Sequence, residues 1–185
     1  MTKKQPEQTR IKLLEAAAQL ILTHGAAHLT LDQVAQDAGI SKGGLLHHFP
    51  TKDELLIGLM QRSFDLFRSR IDHHRAALAP GVGQWLRAYI VASFEAAPEE
   101  ERLTKALFIL AANSPAVFAA KQNELTDLVP PIPYDGLPAA RFLAIQLACD
   151  GFWFSQSAGM IHLEGPMRAA LQAELLALVD QVLAP

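Results

Sequence analysis

T-L-D-Q-V-A-Q-D-A-G-I-S-K-G-G-L-L-H-H-F-P-T-K-D-E, residues Thr30 to Glu54, holds two short helices, a tight turn between them and the start of a third helix. Thr30 can cap a helix that begins near Leu31, and Gln33 three residues later completes a capping box. Leu31, Val34, Ala35 and Ala38 then fall on one apolar stripe, with Asp32, Gln33, Gln36 and Asp37 outside it. Gly39 is the stop, since glycine enters the left-handed region without steric cost. Ile40 fills the corner, and Ser41 caps a second helix whose Leu45 and Phe49, at i and i+4, turn inward. A further capping box at Thr51 and Glu54 starts the next helix after Pro50. The order of elements is that of a helix-turn-helix.

Lys42, Gly43, Gly44, His47 and His48 are left on the outer side of the second helix. Two glycines in a first helical turn cost about 1 kcal/mol each relative to alanine, so they ask for a reason. Close approach of the backbone to DNA is one, with N–H groups and Lys42 offered to a phosphate. The plain alternative is that the pair belongs to a loop and the helix starts later. Lys52 stands in a first turn, where a cation opposes the helix dipole unless a phosphate partners it; a solvated lysine is the simpler reading.

From about Thr9 to Leu59 the chain resembles the N-terminal region of the TetR family of bacterial transcriptional regulators. The long first helix, T-L-D-Q-V-A-Q-D-A-G-I-S, K-G-G-L-L-H-H-F and P-T-K-D-E-L carry the resemblance. It implies that Thr30, Ser41, Lys42, Gly44, His47, His48 and Lys52 touch phosphates or base edges, and Gln33, Gly43 and Leu46 share that face. Leu46 stands where the family usually has an aromatic, often a tyrosine that bonds a phosphate. A leucine can instead pack on a sugar or a thymine methyl.

Length and composition agree with a small N-terminal reader joined to a larger second domain: 185 residues, half of them hydrophobic. One cysteine excludes an intrachain disulfide framework and fits a reducing cytosol. The polar first nine residues and the lack of an apolar run of about 18 lead to the expectation of a cytoplasmic protein without secretory signal or membrane span. The net charge is −3. Up to Lys52 it is +2, from Lys3, Lys4, Arg10, Lys12, Lys42 and Lys52 against Glu7, Glu15, Asp32 and Asp37; beyond, it is −5. An acidic body confines DNA to the N-terminal face. The first basic residues form either a phosphate-binding arm or a solvated terminus.

The chain reads as all-α, with no period-two pattern and no internal repeat. Ile11, Leu14, Ala18, Ile21 and Leu22 mark a first helix stopped by Gly25. Residues 1–52 form the helix-turn-helix domain, a linking helix runs from about 52 to 78, and 79–185 form a helical effector-binding and dimerisation domain. Helices are expected near Gln84 to Ala97, Glu99 to Asn113, Pro115 to Leu128, Ala139 to Met160 and Pro166 to Leu183, with V-P-P-I-P-Y-D-G-L-P as the long break.

The last two helices are apolar on more than one side. A monomer has one core to offer them, so the second side predicts a homodimer joined by four helices, unless one large core takes both. Two recognition helices roughly 34 Å apart would then read the half-sites of a near-palindromic operator on double-stranded DNA. The resemblance further implies a repressor controlled by a small-molecule effector. Trp85, Phe94, Phe108, Phe118, Phe152, Trp153 and Met160, with Asn113, Gln146 and Gln156 as polar groups, are the candidate lining for a mainly apolar organic ligand, and ordinary core packing is the competing reading of each aromatic.

Three rival functions have less behind them. Cys149 and His162 would be about 20 Å apart on a continuous helix, too far for a nucleophile and its base, so no catalytic residue is expected. His47-His48 and His73-His74 are adjacent pairs that diverge on a helix and chelate poorly, which argues against a metal-responsive regulator; no metal ligand or cofactor is expected. A dimeric helical adaptor that has lost DNA binding is suggested only by Leu46.

Overall fold

Several helices in this chain stop where a glycine takes the left-handed backbone that other residues resist. At Gly39, with φ +66°, the Gly39 N–H reaches the Gln36 carbonyl at 3.0 Å and the Ile40 N–H reaches that of Ala35 at 2.9 Å. These two bonds are the paired closure of a Schellman motif. Gly159, at φ +70°, repeats it, with Gly159 N–H on the Gln156 carbonyl and Met160 N–H on that of Ser155.

The computed structural model describes residues 4–95, 98–113 and 135–183, and among them there are eight α-helices and no strand. They are α1 (Lys4–His24), α2 (Leu31–Asp37), α3 (Lys42–His48), α4 (Lys52–Ala76), α5 (Gln84–Ser93), α6 (Pro98–Asn113), α7 (Ala139–Ser157) and α8 (Gly165–Leu183), with a 3-10 turn at Ala26–His28. The all-α expectation is met. Three helices end early. α4 stops at Ala76, where turn bonds take over at Ala77 and Leu78. α5 stops at Ser93 because cations from other helices occupy its terminal carbonyls: Arg70 Nη1 donates to Ala92 O at 2.8 Å, and Arg168 donates to Phe94 O. α7 stops at Ser157, closed by Gly159, so no helix continues from Cys149 to His162. The expected helix Pro115 to Leu128 and most of the proline-rich break lie outside the described residues.

The described residues pack as two units, each with its own core. The first holds α1 to α3, α4 up to Asp65, and α6. Sequence reading grouped α6 with the C-terminal half. Its Leu103, Ala106 and Leu110, at i, i+3 and i+7, are instead buried within the first unit, where α6 lies on α1 and the 3-10 turn. Arg62 of α4 grips Glu99 of α6 with Nε at 3.2 Å and Nη2 at 2.9 Å. With α6 on α1 as well as α2, the buried set of α1 widens beyond Leu14, Ala18 and Ile21 to Leu13, Ala17 and Leu20.

The second unit holds α4 from Leu66, α5, α7 and α8 around Leu86, Ile90, Phe142, Ile145, Cys149, Leu175 and Val179. α5 is capped at Gly83, which has no side chain for the task; Asp135, near the end of the proline-rich break, accepts the Leu86 N–H at 3.0 Å in that place.

Gly58 sits under Phe49. A β-carbon there would come within 2.6 Å of the Phe49 ring, which is itself buried and faced by the Arg10 guanidinium at 5.2 Å. A stiff, sealed ring cannot yield as a flexible chain would. Gly58→Ala is expected to lower the unfolding free energy by about 1–3 kcal/mol, measured by urea denaturation, whereas Ser63→Ala on the same helix should leave it within about 0.5 kcal/mol.

Candidate nucleic-acid interface and effector site

The starts of α2, α3 and α4 are each tied by a side chain. The Thr30 hydroxyl accepts the Gln33 N–H at 3.3 Å and donates to Gln33 Oε1 at 3.0 Å, so the glutamine answers the hydroxyl where a full capping box would have it answer the backbone. Ser41 Oγ accepts the Gly44 N–H at 3.1 Å, and Thr51 Oγ1 accepts that of Glu54 at 3.2 Å. α3 starts at Lys42, so Gly43 and Gly44 lie in the helix and not in a loop. With Leu45 at 0% and Phe49 at 2% exposure, one side of α3 is sealed. Lys42, Gly43, Leu46 and His47 are exposed on the other, and Gly44 and His48 are half-buried.

The two glycines differ in their reason. A β-carbon on Gly44 would press on Ile40 Cγ2 at 3.0 Å and Ser41 Oγ at 3.2 Å, so the tight corner itself explains that residue. A β-carbon on Gly43 would meet nothing within 4 Å. Among the described residues nothing explains Gly43, and its face is the one presented outward.

Both lysines have partners within the chain. Lys42 Nζ pairs with Asp32 Oδ1 at 2.8 Å, across from α2 and well exposed. Lys52 Nζ, half-buried, donates to the Ala26 carbonyl at 2.9 Å, which joins the start of α4 to the 3-10 turn. The dipole conflict at Lys52 is thus met by a backbone acceptor, without need of a phosphate. The sequence places Asp32 off the apolar stripe of α2 as one more surface charge; the ten-residue step from Asp32 to Lys42 has no helical period that would announce the pair. His47 and His48 stand edge to face at 5.6 Å. The His48 imidazole is held below the ordinary histidine value, first by partial burial and then by His47 and Arg10.

In the second unit, Trp85 stacks on Tyr89 at 4.9 Å and on Phe142 at 5.8 Å, and Phe67 meets Tyr89 edge-on at 5.4 Å. Phe94 and Phe152 stack at 4.3 Å with Arg168 over both rings, so these two residues are ordinary core. Gln156 Oε1 accepts the Leu163 N–H at 3.2 Å and anchors the turn after α7. Trp153 and Met160 are exposed. The Gln146 Oε1 is buried with no donor. Of the other expected lining residues, Phe118 lies outside the described residues, as do the side chains of Phe108 and Asn113, whose helix α6 belongs to the first unit.

A polar pair missing from the sequence reading lies here: the Tyr89 hydroxyl donates to Asp150 Oδ1, joining positions 61 residues apart. Its one visible trace is an aspartate in an apolar stretch of α7. Burial, and then the Asp150 charge, push the Tyr89 hydroxyl up; burial raises the Asp150 carboxyl as well. Burial and Asp150 push the neighbouring Cys149 thiol up to about 12, so it is an inert core thiol and not a nucleophile. His74, of the adjacent pair read as a poor chelator, pairs with Glu95 at 2.7 Å.

α7 also carries a continuous outward stripe. Ala140, Ala144, Leu147, Gly151, Phe154 and Ala158 follow the i, i+4, i+7 rhythm, and every one is exposed. Met160, Ile161 and Met167 continue the exposed apolar surface toward α8, whose Ala169, Ala170 and Ala173 are exposed too.

A capped two-helix reader with an outward basic and imidazole row, followed by a helical domain, defines a helix-turn-helix DNA-binding regulator. Residues 13–59 match the model of bacterial regulatory proteins of the tetR family, and residues 83–180 match the tetracyclin repressor-like C-terminal domain. The chain belongs to the TetR family of transcriptional regulators, which are DNA-binding proteins and not enzymes. Among relatives, the HTH-type transcriptional repressor KstR2 of Mycobacterium tuberculosis is 35% identical over 96 residues, 50% of this chain and 46% of its own length. The chain thus spans about half the length of such relatives. Among solved structures, NalD of Pseudomonas aeruginosa, the secondary repressor of the MexAB-OprM multidrug efflux pump, has TM-score 0.57 at 18% identity, covering 97% of each chain. The multidrug binding protein EbrR complexed with ethidium has TM-score 0.57 at 20% identity, covering 92% of this chain and 98% of its own. These two similarities are of fold.

The depressed His48 value has a consequence for folding. The unfolded chain takes up a proton at the ordinary value of 6.5, the folded chain only at lower pH. The contribution of His48 is therefore fully present above 6.5 and is lost as the pH falls from there through the folded value. Urea midpoints measured from pH 7.5 down to 5 are expected to fall more steeply for the wild type than for His48→Gln.

Proposed function

We propose that the chain is a homodimeric repressor that acts in the cytoplasm on a near-palindromic operator and is released from it by a small, mainly apolar organic ligand. The observation that carries this reading is α3: sealed on one side by Leu45 and Phe49, capped by Ser41, and open on the other through Lys42, Gly43, Leu46 and His47. In this reading Thr30, Gln33, Ser41, Lys42, Gly43, Gly44, Leu46, His47, His48 and Lys52 face double-stranded DNA. Residues 1–52 are the reader, the helix to about 78 is the link, and 79–185 bind effector and partner. Gly43 lets the α3 backbone approach a phosphate, and Leu46 lies on a sugar or a thymine methyl.

The exposed stripe of α7 supports the dimer, since a monomer rarely leaves so long an apolar row in water. A second copy would cover it with the same stripe, in the isologous manner of a two-fold interface. KstR2 and NalD, both described as repressors, support repression, and the ethidium complex of EbrR supports a small-molecule effector. The ligand acts by binding one of two dimer states more tightly, with the recognition helices at different spacing.

Selection of genomic fragments by the purified protein tests the reading. The wild type should recover one near-palindromic sequence with affinity that falls steeply with salt, and the His47→Ala, Lys52→Ala double variant should not. Recovery of nothing above background, with or without extracted small molecules, would point to the helical adaptor. Recovery only after metal addition would point to the metal-responsive regulator.

Two substitutions refine the interface. Asp32→Asn releases Lys42 from its intramolecular partner and is expected to tighten operator binding several-fold and steepen the salt dependence, because one more free cation displaces counterions. Gly43→Ala is expected to stabilise the free protein by up to about 1 kcal/mol while weakening operator binding, a split read by parallel denaturation and gel-shift titrations.

A further inference from the structure

Asp150 is a carboxylate whose company is wrong for its charge. It is half-buried on α7, beside the core residues Cys149 and Phe152, and its partner is the neutral Tyr89 hydroxyl. Among the described residues no lysine, arginine or histidine pairs with it, whereas Asp180 of the same unit holds Arg87 and Glu95 holds His74. A carboxylate moved toward an apolar environment loses hydration that one phenol donor replaces only in part.

A second acceptor adjoins it. Gln146, one turn earlier on α7, reaches the same Tyr89 hydroxyl, and its Oε1 is buried with no donor. Asp150 thus has one neutral donor for a carboxylate and Gln146 Oε1 has none, so both acceptors are short of donors. The third component is aromatic: the stacked Trp85 and Tyr89 rings, with Phe67 edge-on to Tyr89. Ring faces carry negative electrostatic potential and attract cations. Asp150, Gln146 and Trp85 are each half-buried, so the edge of the cluster reaches solvent while Gln146 Oε1 itself is covered.

We propose that Asp150, Gln146 and the Trp85–Tyr89 stack select the effector, and that the effector class is an apolar organic cation with N–H donors, such as a protonated amine or amidine. The inference deepens the effector reading above and rests on it. The ammonium lies against the Asp150 carboxylate, one N–H satisfies Gln146 Oε1, and the apolar body lies along the rings. An anionic ligand would set carboxylate against carboxylate. A neutral one would strip water from Asp150 and return no charge.

Three probes of one skeleton test it on the full-length chain: 4-phenylbutylammonium, 4-phenylbutan-1-ol and 4-phenylbutyrate, followed by calorimetry and tryptophan quenching. The ammonium is expected to bind the wild type at least about ten-fold more tightly than the other two. Asp150→Asn should erase that preference, and Gln146→Leu should weaken the ammonium selectively. Should Asp150→Asn fold poorly, Gln146→Leu and the ammonium-induced rise of the wild-type thermal midpoint carry the test. Equal binding of the three probes, preference for the butyrate, no binding of any, or an unchanged preference in Asp150→Asn would each overturn the proposal. So would a loss of dimer without a change in probe binding, which would make Asp150 an interface residue. The effector reading fails separately: if the ammonium binds through Asp150 but leaves operator affinity unchanged, the cation site stands and its regulatory role falls.

Discussion

A helix of seven residues does not hold itself in water, and α3 has seven. Its position depends on the burial of Leu45 and Phe49 beneath it, and every outward group of the reader depends on that anchoring. The Phe49 ring is seated in turn by the absence of a side chain at Gly58 and by the Arg10 guanidinium above it. The groups that α3 presents outward are thus set by the side that is packed inward. Ser41 and the Schellman closure at Gly39 then fix where the helix starts and how it leaves α2.

The second unit shows the same economy in another form. α5 has a glycine at its start and no capping side chain at its end, yet neither terminus is left to water alone: Asp135 takes an N-terminal N–H, and Arg70 and Arg168 take the C-terminal carbonyls. The cations also complement the helix dipole. A helix held at both ends by other elements presents Trp85 and Tyr89 in a defined setting, and it is on this helix and α7 that the Tyr89–Asp150 pair forms.

Where reading the residues worked, the signal was local. Thr30, Ser41 and Thr51 are caps because a hydroxyl reaches an N–H three residues on, and Gly25 and Gly39 are stops because φ is positive there. Where it fell short, the cause was distant. α6 has an apolar stripe that would suit any core, and nothing in its sequence says that α1 is the surface it covers. The partners of Lys42 and Lys52 belong to the same class: a lysine advertises a charge but not the acceptor, and a phosphate, Asp32 or the Ala26 carbonyl satisfies it equally by type. The aromatic lining was the least legible, because Phe94 and Phe152 have the same hydrophobicity whether stacked in a core or facing a ligand.

The sequence by itself determined the helix-turn-helix, the all-α class and the family, since caps, glycine stops and apolar spacing act over three or four residues and are written in order along the chain. The tertiary structure alone decided which acceptors hold the basic residues, which helices share a core, and that a tyrosine and an aspartate 61 positions apart meet in an apolar wall. Those are matters of distance in space, and a linear pattern carries residue types and periods but no information on which two faces will be pressed together.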